Sequence, residues 1–182
     1  MLRIDLQQSL SKSAVNPQRL SPFQRILLTT DGTLTEILEA HLWEPIEIVK
    51  LMQETIETPQ QLPYLDIEAR TKVLQREVLL RGRRSRKNYV HAGSVVVLGR
   101  LDPFLRQGLL ITQEPLGKLL IQARLETFRE IVTCGLHAAE NLGDFFAVPP
   151  DATLISRTYR IFSNGKPFIL ITEQFPETYF LE

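Results

Sequence analysis

The chain has 182 residues, a length that suits one domain with at most a short arm. Hydrophobic residues make up 43% and charged residues 23%, the ordinary balance of a globular protein that can bury a core. Acidic and basic residues number 21 each, so global charge points to neither a nucleic-acid nor a membrane partner. A lone cysteine, Cys134, excludes an intrachain disulfide and a multi-thiolate metal site. The opening residues, MLRIDLQQSLSKSA, lack the apolar stretch of a secretory signal. No apolar run approaches the roughly 20 residues of a membrane span. The expectation is a cytoplasmic protein with no integral membrane segment, peripheral contact being left open.

Residues 1–20 are polar and weakly patterned and read as an N-terminal arm, with the domain proper over residues 21–182. Ser21-Pro22 is a helix start, a serine cap followed by proline at the first helical position, and predicts a short helix over residues 22–29. After the Asp31-Gly32 break, Thr33 caps a second short helix carrying Leu34, Ile37 and Leu38. Residues 45–58, rich in isoleucine and threonine between prolines, predict a strand. Residues 71–80 and 89–98 predict two more. The polar, glycine-containing stretch between them makes an antiparallel hairpin. Asp102-Pro103 opens a helix to about residue 107, and Pro115-Leu116-Gly117 opens another. Residues 126–136 predict a strand, while residues 137–146 are ambiguous, with a short helix as one option. Residues 153–162 and 167–175 are strands joined through Asn164-Gly165, a strong two-residue hairpin signal. The sum is an antiparallel α+β domain. With no alternating βα units and no glycine-rich phosphate loop, a dinucleotide fold is unsupported.

Strand side chains alternate between faces. Arg76 therefore shares a face with Leu74, Val78 and Leu80, and Glu173 shares one with Ile169, Ile171 and Phe175. A charge among apolar neighbours must find a partner, because desolvation costs several kcal/mol per ion. One reading is that Arg76 and Glu173 pair structurally. The other is an enclosed site, with the arginine's planar fork on a substrate carboxylate. There the glutamate faces a hydroxyl or ether oxygen, and a carboxyl in a dry pocket holds its proton tightly enough for acid or base work. Leu116 and Gly117 would place free amides at a helix start, which favours an anion; an ordinary capped helix gives the same pattern.

These segments resemble chorismate lyase (chorismate pyruvate-lyase). The matching stretches are Leu74-Gln75-Arg76-Glu77-Val78-Leu79-Leu80, Pro115-Leu116-Gly117-Lys118-Leu119-Leu120, and Gly165-Lys166-Pro167-Phe168-Ile169-Leu170-Ile171-Thr172-Glu173-Gln174-Phe175. They stand in the family's order with comparable spacing, and a weaker match surrounds Asp31-Gly32-Thr33-Leu34-Thr35. The resemblance implies a single twisted antiparallel sheet flanked by short helices, with the ligand enclosed under helical flaps. It implies removal of pyruvate from chorismate to leave 4-hydroxybenzoate, a quinone head-group precursor, with no metal or organic cofactor. Arg76 would bind the ring carboxylate with help from the Leu116 amide, Gly117 lying beside it. Glu173 would contact the ring oxygen opposite and handle a proton, and Leu34 would fall on an apolar wall.

One departure stands out. Relatives serving ubiquinone synthesis carry a second arginine soon after an Ala-Gly pair, where this chain has Ser94 after Ala92-Gly93. The enolpyruvyl carboxylate then lacks its partner, and His91 and Arg129 are both candidates. The chain thus resembles a divergent branch, with plastoquinone synthesis as one destination. The rival function is a non-catalytic module binding an aromatic carboxylate, since effector domains of some bacterial regulators share this general fold. Residues 1–20 are too short for a helix-turn-helix domain, which counts against a stand-alone regulator. Residues 81–87 hold five basic side chains, which read as a solvated hairpin tip rather than a nucleic-acid patch. His41, His91 and His137 lack metal-ligand spacing. The oligomeric state is open, a monomer included.

Overall fold

The computed structural model describes residues 15–111 and 116–181. Helix α1 (Pro22–Thr29) begins with a reciprocal capping box. Ser21 Oγ accepts from the Gln24 amide at 3.0 Å, and Gln24 Oε1 accepts from the Ser21 amide at 3.0 Å. The same Gln24 side chain donates to the carbonyls of Glu177 and Tyr179, each at 2.7 Å. One local cap thereby ties the start of α1 to the C-terminal segment. Helix α2 (Leu34–Leu42) follows the Asp31-Gly32 break, with Leu34 and Leu38 buried. Thr33 takes the extended backbone of a cap residue, yet its side chain makes no cap hydrogen bond. It packs elsewhere, as described below.

Six antiparallel strands form one open sheet in the order β1-β2-β3-β6-β5-β4. They are β1 (Ile46–Glu57), β2 (Lys72–Gly82), β3 (Asn88–Val97), β4 (Phe128–Ala138), β5 (Thr153–Ser163) and β6 (Lys166–Pro176). This is the antiparallel α+β domain the residues predict, with the single sheet and flanking short helices that the resemblance implies. The β5–β6 turn has Asn164 at φ 50° and Gly165 at φ 73°, the left-handed pair that two-residue hairpins favour. At the β2–β3 tip, Glu47 takes Arg81 at 2.7 Å and Arg86 at 2.6 Å. Glu44 accepts from the amides of Arg84 and Ser85 at 2.9 and 3.0 Å. The basic tip is thus partly neutralised by acids at the start of β1 and just before it.

Helix α3 (Pro103–Ile111) runs beyond the expected end near residue 107. Asp102 Oδ1 caps it by accepting from the Phe104 and Leu105 amides at 2.9 and 3.0 Å. Gly108 lies in the additional turn. In the fold it is a close-approach position: a Cβ there would lie 3.1 Å from Leu119 Cδ2. Leu119 belongs to α4 (Leu116–Gln122), and Pro115, the expected opener of that helix, lies outside the described residues. The ambiguous stretch after β4 resolves into a short 3-10 turn and a single helical turn, α5 (Gly143–Phe146).

Helices α1 and α2 pack on one part of the sheet, in a cluster that includes Leu27, Leu28, Leu34, Leu38 and Val90. Val15 and Leu20, from the expected arm, are buried in it too. Helices α3 and α4 cover the neighbouring part through Leu105, Leu109, Leu119 and Leu120, against Leu74, Val96 and Ile169. The candidate site lies where these two clusters meet.

Candidate active site

The pairing register lays out the inner face of the sheet as a grid. One row runs Val78, Ala92, Glu173, Arg157, Cys134 across β2, β3, β6, β5 and β4. The next runs Arg76, Ser94, Ile171, Tyr159, and a third Leu74, Val96, Ile169, Ile161, Arg129. A cavity of about 80 Å³ opens above this grid, several times the ~10–15 Å³ that one water needs. Its floor includes Arg76, Val78, Ala92, Ser94, Tyr159, Ile161, Ile171 and Glu173, and Arg129 closes the far side. Its roof comes from the segment 32–35 and from Leu116, Gly117 and Leu120 of α4.

Arg76, Glu173, Leu116, Gly117, Leu34, Ser94 and Arg129 are therefore brought together. His91 is not. Its register partners, Leu79 and Gln174, lie on the opposite face of the sheet, because His91 is an odd number of residues from Ser94. There its ring stacks on Phe145 at 6.4 Å, and Nδ1 meets Gln174 Oε1 at 3.2 Å. The expectation that His91 could hold a ligand carboxylate is corrected by this strand parity.

Arg76 is only 4% exposed, and burial pulls its guanidinium below the ordinary arginine range. It stays cationic near neutrality, since arginine starts so high. Its strand neighbour Ser94 donates weakly to the Arg76 carbonyl at 3.4 Å. Glu173 is 5% exposed but is not the lone acid in a dry pocket that the sequence suggests. Nor does it pair with Arg76. Arg157 Nε donates to Glu173 Oε2 at 2.6 Å, and Tyr159 O–H donates to Oε1 at 3.1 Å. Burial lowers the Arg157 guanidinium, and the Glu173 charge more than reverses this with help from Tyr159, so the net shift is upward. Burial, then the Glu173 charge, raises the Tyr159 hydroxyl well above the usual phenol range. Tyr159 is therefore a donor to the carboxylate and no source of a second anion.

Arg157 and Tyr159 were missing from the sequence reading. Arg157 also donates through Nη1 to the Thr30 carbonyl at 3.0 Å, at the end of α1. Arg129 Nη1 donates to the next carbonyl, that of Asp31. Two arginines thus hold consecutive peptide groups of the loop that leads into α2. The roof is closed at Thr33 and Gly117: a Cβ on Gly117 would meet Thr33 Cγ2 at 2.7 Å, so glycine is what lets α4 approach this closely. Cys134 lies behind Arg157 in the grid. Burial pushes its thiol up to about 11, with Arg157 opposing, which suits a core residue rather than a nucleophile. Among the described residues no three His, Cys, Asp or Glu side chains converge as a metal site. No described helix is long and apolar enough to cross a membrane.

Solved structures share this architecture at low identity. The effector domain of PhnF from Mycobacterium smegmatis matches with TM-score 0.64 and 12% identity, over 80% of this chain and 88% of that one. The gene product SA0254 from Staphylococcus aureus matches with TM-score 0.62 and 13% identity, over 80% and 88%. These likenesses show the fold alone. In sequence, a chorismate pyruvate-lyase of Mycobacterium leprae is 30% identical over 86% of this chain and 75% of its own length. A chorismate pyruvate-lyase of Mycobacterium tuberculosis (strain H37Rv) is 28% identical over 90% and 84%. The family model for chorismate pyruvate-lyase Rv2949c-like proteins matches residues 28–181, from the end of α1 through β6 and beyond. On that match, and with both buried charges of the motif lining one cavity, the chain belongs to the Rv2949c-like chorismate pyruvate-lyase family, a family of lyases.

Proposed function

We propose that this chain removes pyruvate from chorismate and leaves 4-hydroxybenzoate, an aromatic acid that serves as a quinone head-group precursor. The observation that carries the reading is the cavity itself: in a chain of this family, it is lined by the buried guanidinium of Arg76 and the buried carboxylate of Glu173. Chorismate is a cyclohexadiene bearing a ring carboxylate, a C4 hydroxyl and a C3 enolpyruvyl ether. The C4–H bond breaks and its electron pair forms the ring double bond to C3. The C3–O bond breaks, and enolpyruvate leaves, takes up a proton and becomes pyruvate. Aromatisation drives the step, so the protein need mainly hold the reactive conformer and meet the charge that develops.

In this reading Arg76 forks onto the ring carboxylate, and the first amides of α4, at Leu116 and Gly117, add donors to it. Glu173 is the one carboxylate among the described residues that line the cavity, so it takes the C4 proton. Arg157 and Tyr159 fix both of its oxygens and thereby its orientation. Leu34, Ile161 and Ile171 exclude water around the ring.

Purified protein given chorismate and no added metal should release pyruvate and 4-hydroxybenzoate in equal amounts. Folded protein that releases neither refutes the activity, and 4-hydroxybenzoate binding without turnover would instead indicate a binding module. Arg76→Ala should chiefly raise KM and Glu173→Ala chiefly lower kcat. Full activity in both variants would refute the assignment of roles even if turnover occurs.

A further inference from the structure

We infer that Arg129 is the residue that distinguishes substrate from product, by binding the carboxylate that the ligand loses on cleavage. The inference rests on the reading above, in which the substrate carries two carboxylates and the retained aromatic product only one. Arg76 answers the first. Among the described residues lining the cavity, the other arginine is Arg129. Arg157, though buried nearby, is committed to Glu173 at 2.6 Å and to the Thr30 carbonyl at 3.0 Å.

Arg129 is only partly committed. Nη1 donates to the Asp31 carbonyl, while Nε is buried with no hydrogen-bond acceptor among the described residues. A buried N–H without an acceptor is costly, and a guanidinium has donors enough to serve a carbonyl and a carboxylate together. Its place in the sheet fits this use. Arg76 is on β2 and Arg129 on β4, with β3, β6 and β5 between them. Four strand spacings amount to about 19 Å between backbones. Both guanidinia nevertheless line the same cavity, from strands on either side of it, as a ligand with two carboxylates would require.

The Asp31 contact adds a consequence. Asp31 lies in the loop between α1 and the roof helix α2, so a ligand carboxylate on Arg129 is joined through one guanidinium to the loop that positions the roof. Cleavage transfers that carboxylate to pyruvate, and the retained product no longer reaches this link.

The test compares wild type, Arg129→Gln and Arg129→Lys, measuring kcat and KM for chorismate and the competitive inhibition constant of 4-hydroxybenzoate. The glutamine variant should raise the chorismate KM by about tenfold or more, while the 4-hydroxybenzoate constant moves less than about threefold. The lysine variant, which keeps charge but loses the fork, should fall between. Equal weakening of both ligands would make Arg129 a support for the cavity rather than a carboxylate partner, and an unchanged KM would dismiss it altogether. Wild-type turnover reports separately on the underlying reading. Should wild type bind chorismate without cleaving it, calorimetric affinities for chorismate and 4-hydroxybenzoate give the same comparison, with the same outcomes supporting or overturning the role of Arg129.

Discussion

Replacing Arg157 by methionine should destabilise the protein more than any ordinary surface change. The pair it forms with Glu173 has side chains only 2% and 7% exposed, so neither solvent nor salt can take over as the counter-charge. Removing one partner of such a pair typically costs about 3–5 kcal/mol, because the other charge stays buried without compensation. The Tyr159 hydroxyl still donates to Glu173 Oε1 at 3.1 Å, which moves the figure toward the lower end. The Thr30 carbonyl also loses its donor, which adds about 1 kcal/mol to the cost. A net loss of about 3–5 kcal/mol is a third or more of the stability of many domains. The measurement is urea unfolding followed by circular dichroism, with the m-value unchanged so that the midpoint reports stability. The double variant Arg157→Met/Glu173→Gln removes both charges and keeps an acceptor for Tyr159. It should be more stable than Arg157→Met alone by about 2 kcal/mol, since interacting residues are non-additive. An Arg157→Met variant within about 1 kcal/mol of wild type, or a double variant no better than the sum of its parts, refutes the buried-pair reasoning.

Gly117→Ala should lower stability by about 1–3 kcal/mol through overpacking, because its Cβ would lie 2.7 Å from Thr33 Cγ2. Adding Thr33→Ser, which deletes that methyl, should recover part of the loss in thermal melts; no recovery would place the conflict elsewhere. Glu44 is held down to about 2, first by the Ser85 backbone amide, then by the Ser85 hydroxyl, with Arg84 and Tyr89 adding to it. Its folded value lies below the ordinary 4.5, so its stabilising effect is complete above that pH and is lost as pH falls toward 2. The stability gap between wild type and Glu44→Gln should therefore shrink as unfolding is measured from pH 5 downward, and a gap independent of pH contradicts the assignment.

The parts of the fold that local chemistry encodes were legible in the sequence. Ser21-Pro22 specifies the start of α1, Asp102 the start of α3, and Asn164-Gly165 the β5–β6 turn. Alternation then put Arg76 and Glu173 on the inner face, and both line the cavity. What failed was anything requiring a neighbour that local pattern does not name. The expected end of α3 near residue 107 fell short because local pattern does not reveal that Leu119 packs against Gly108. Thr33 mimics a side-chain cap, while in the fold it packs on Gly117 of another helix. His91 was a candidate partner for the enolpyruvyl carboxylate, although its odd separation from Ser94 in the strand sends the two to opposite faces.

Arg157, like Tyr159, was an omission that strand parity could have repaired. In β5, Ile155, Arg157, Tyr159 and Ile161 share a face, so a third charge stands among apolar neighbours just as Arg76 and Glu173 do. Finding its partner needs the register of the β5–β6 hairpin, and the turn alone gives the wrong one. A two-residue turn pairs Ser163 with Lys166, an odd position with an even one, and continuing that register would set Arg157 opposite Thr172. The apolar faces forbid this. Tyr159 and Ile161 can share the interior with Ile169 and Ile171 only if odd positions pair with odd. The two demands are reconciled by one extra residue in β6, which here falls beside Pro167, a residue with no N–H to give to a ladder. The register does shift there, between Ile161 and Phe162, and from that point Arg157 faces Glu173. Turn geometry, face parity and one proline together imply the ion pair that orients the carboxylate, though no one of them does so alone.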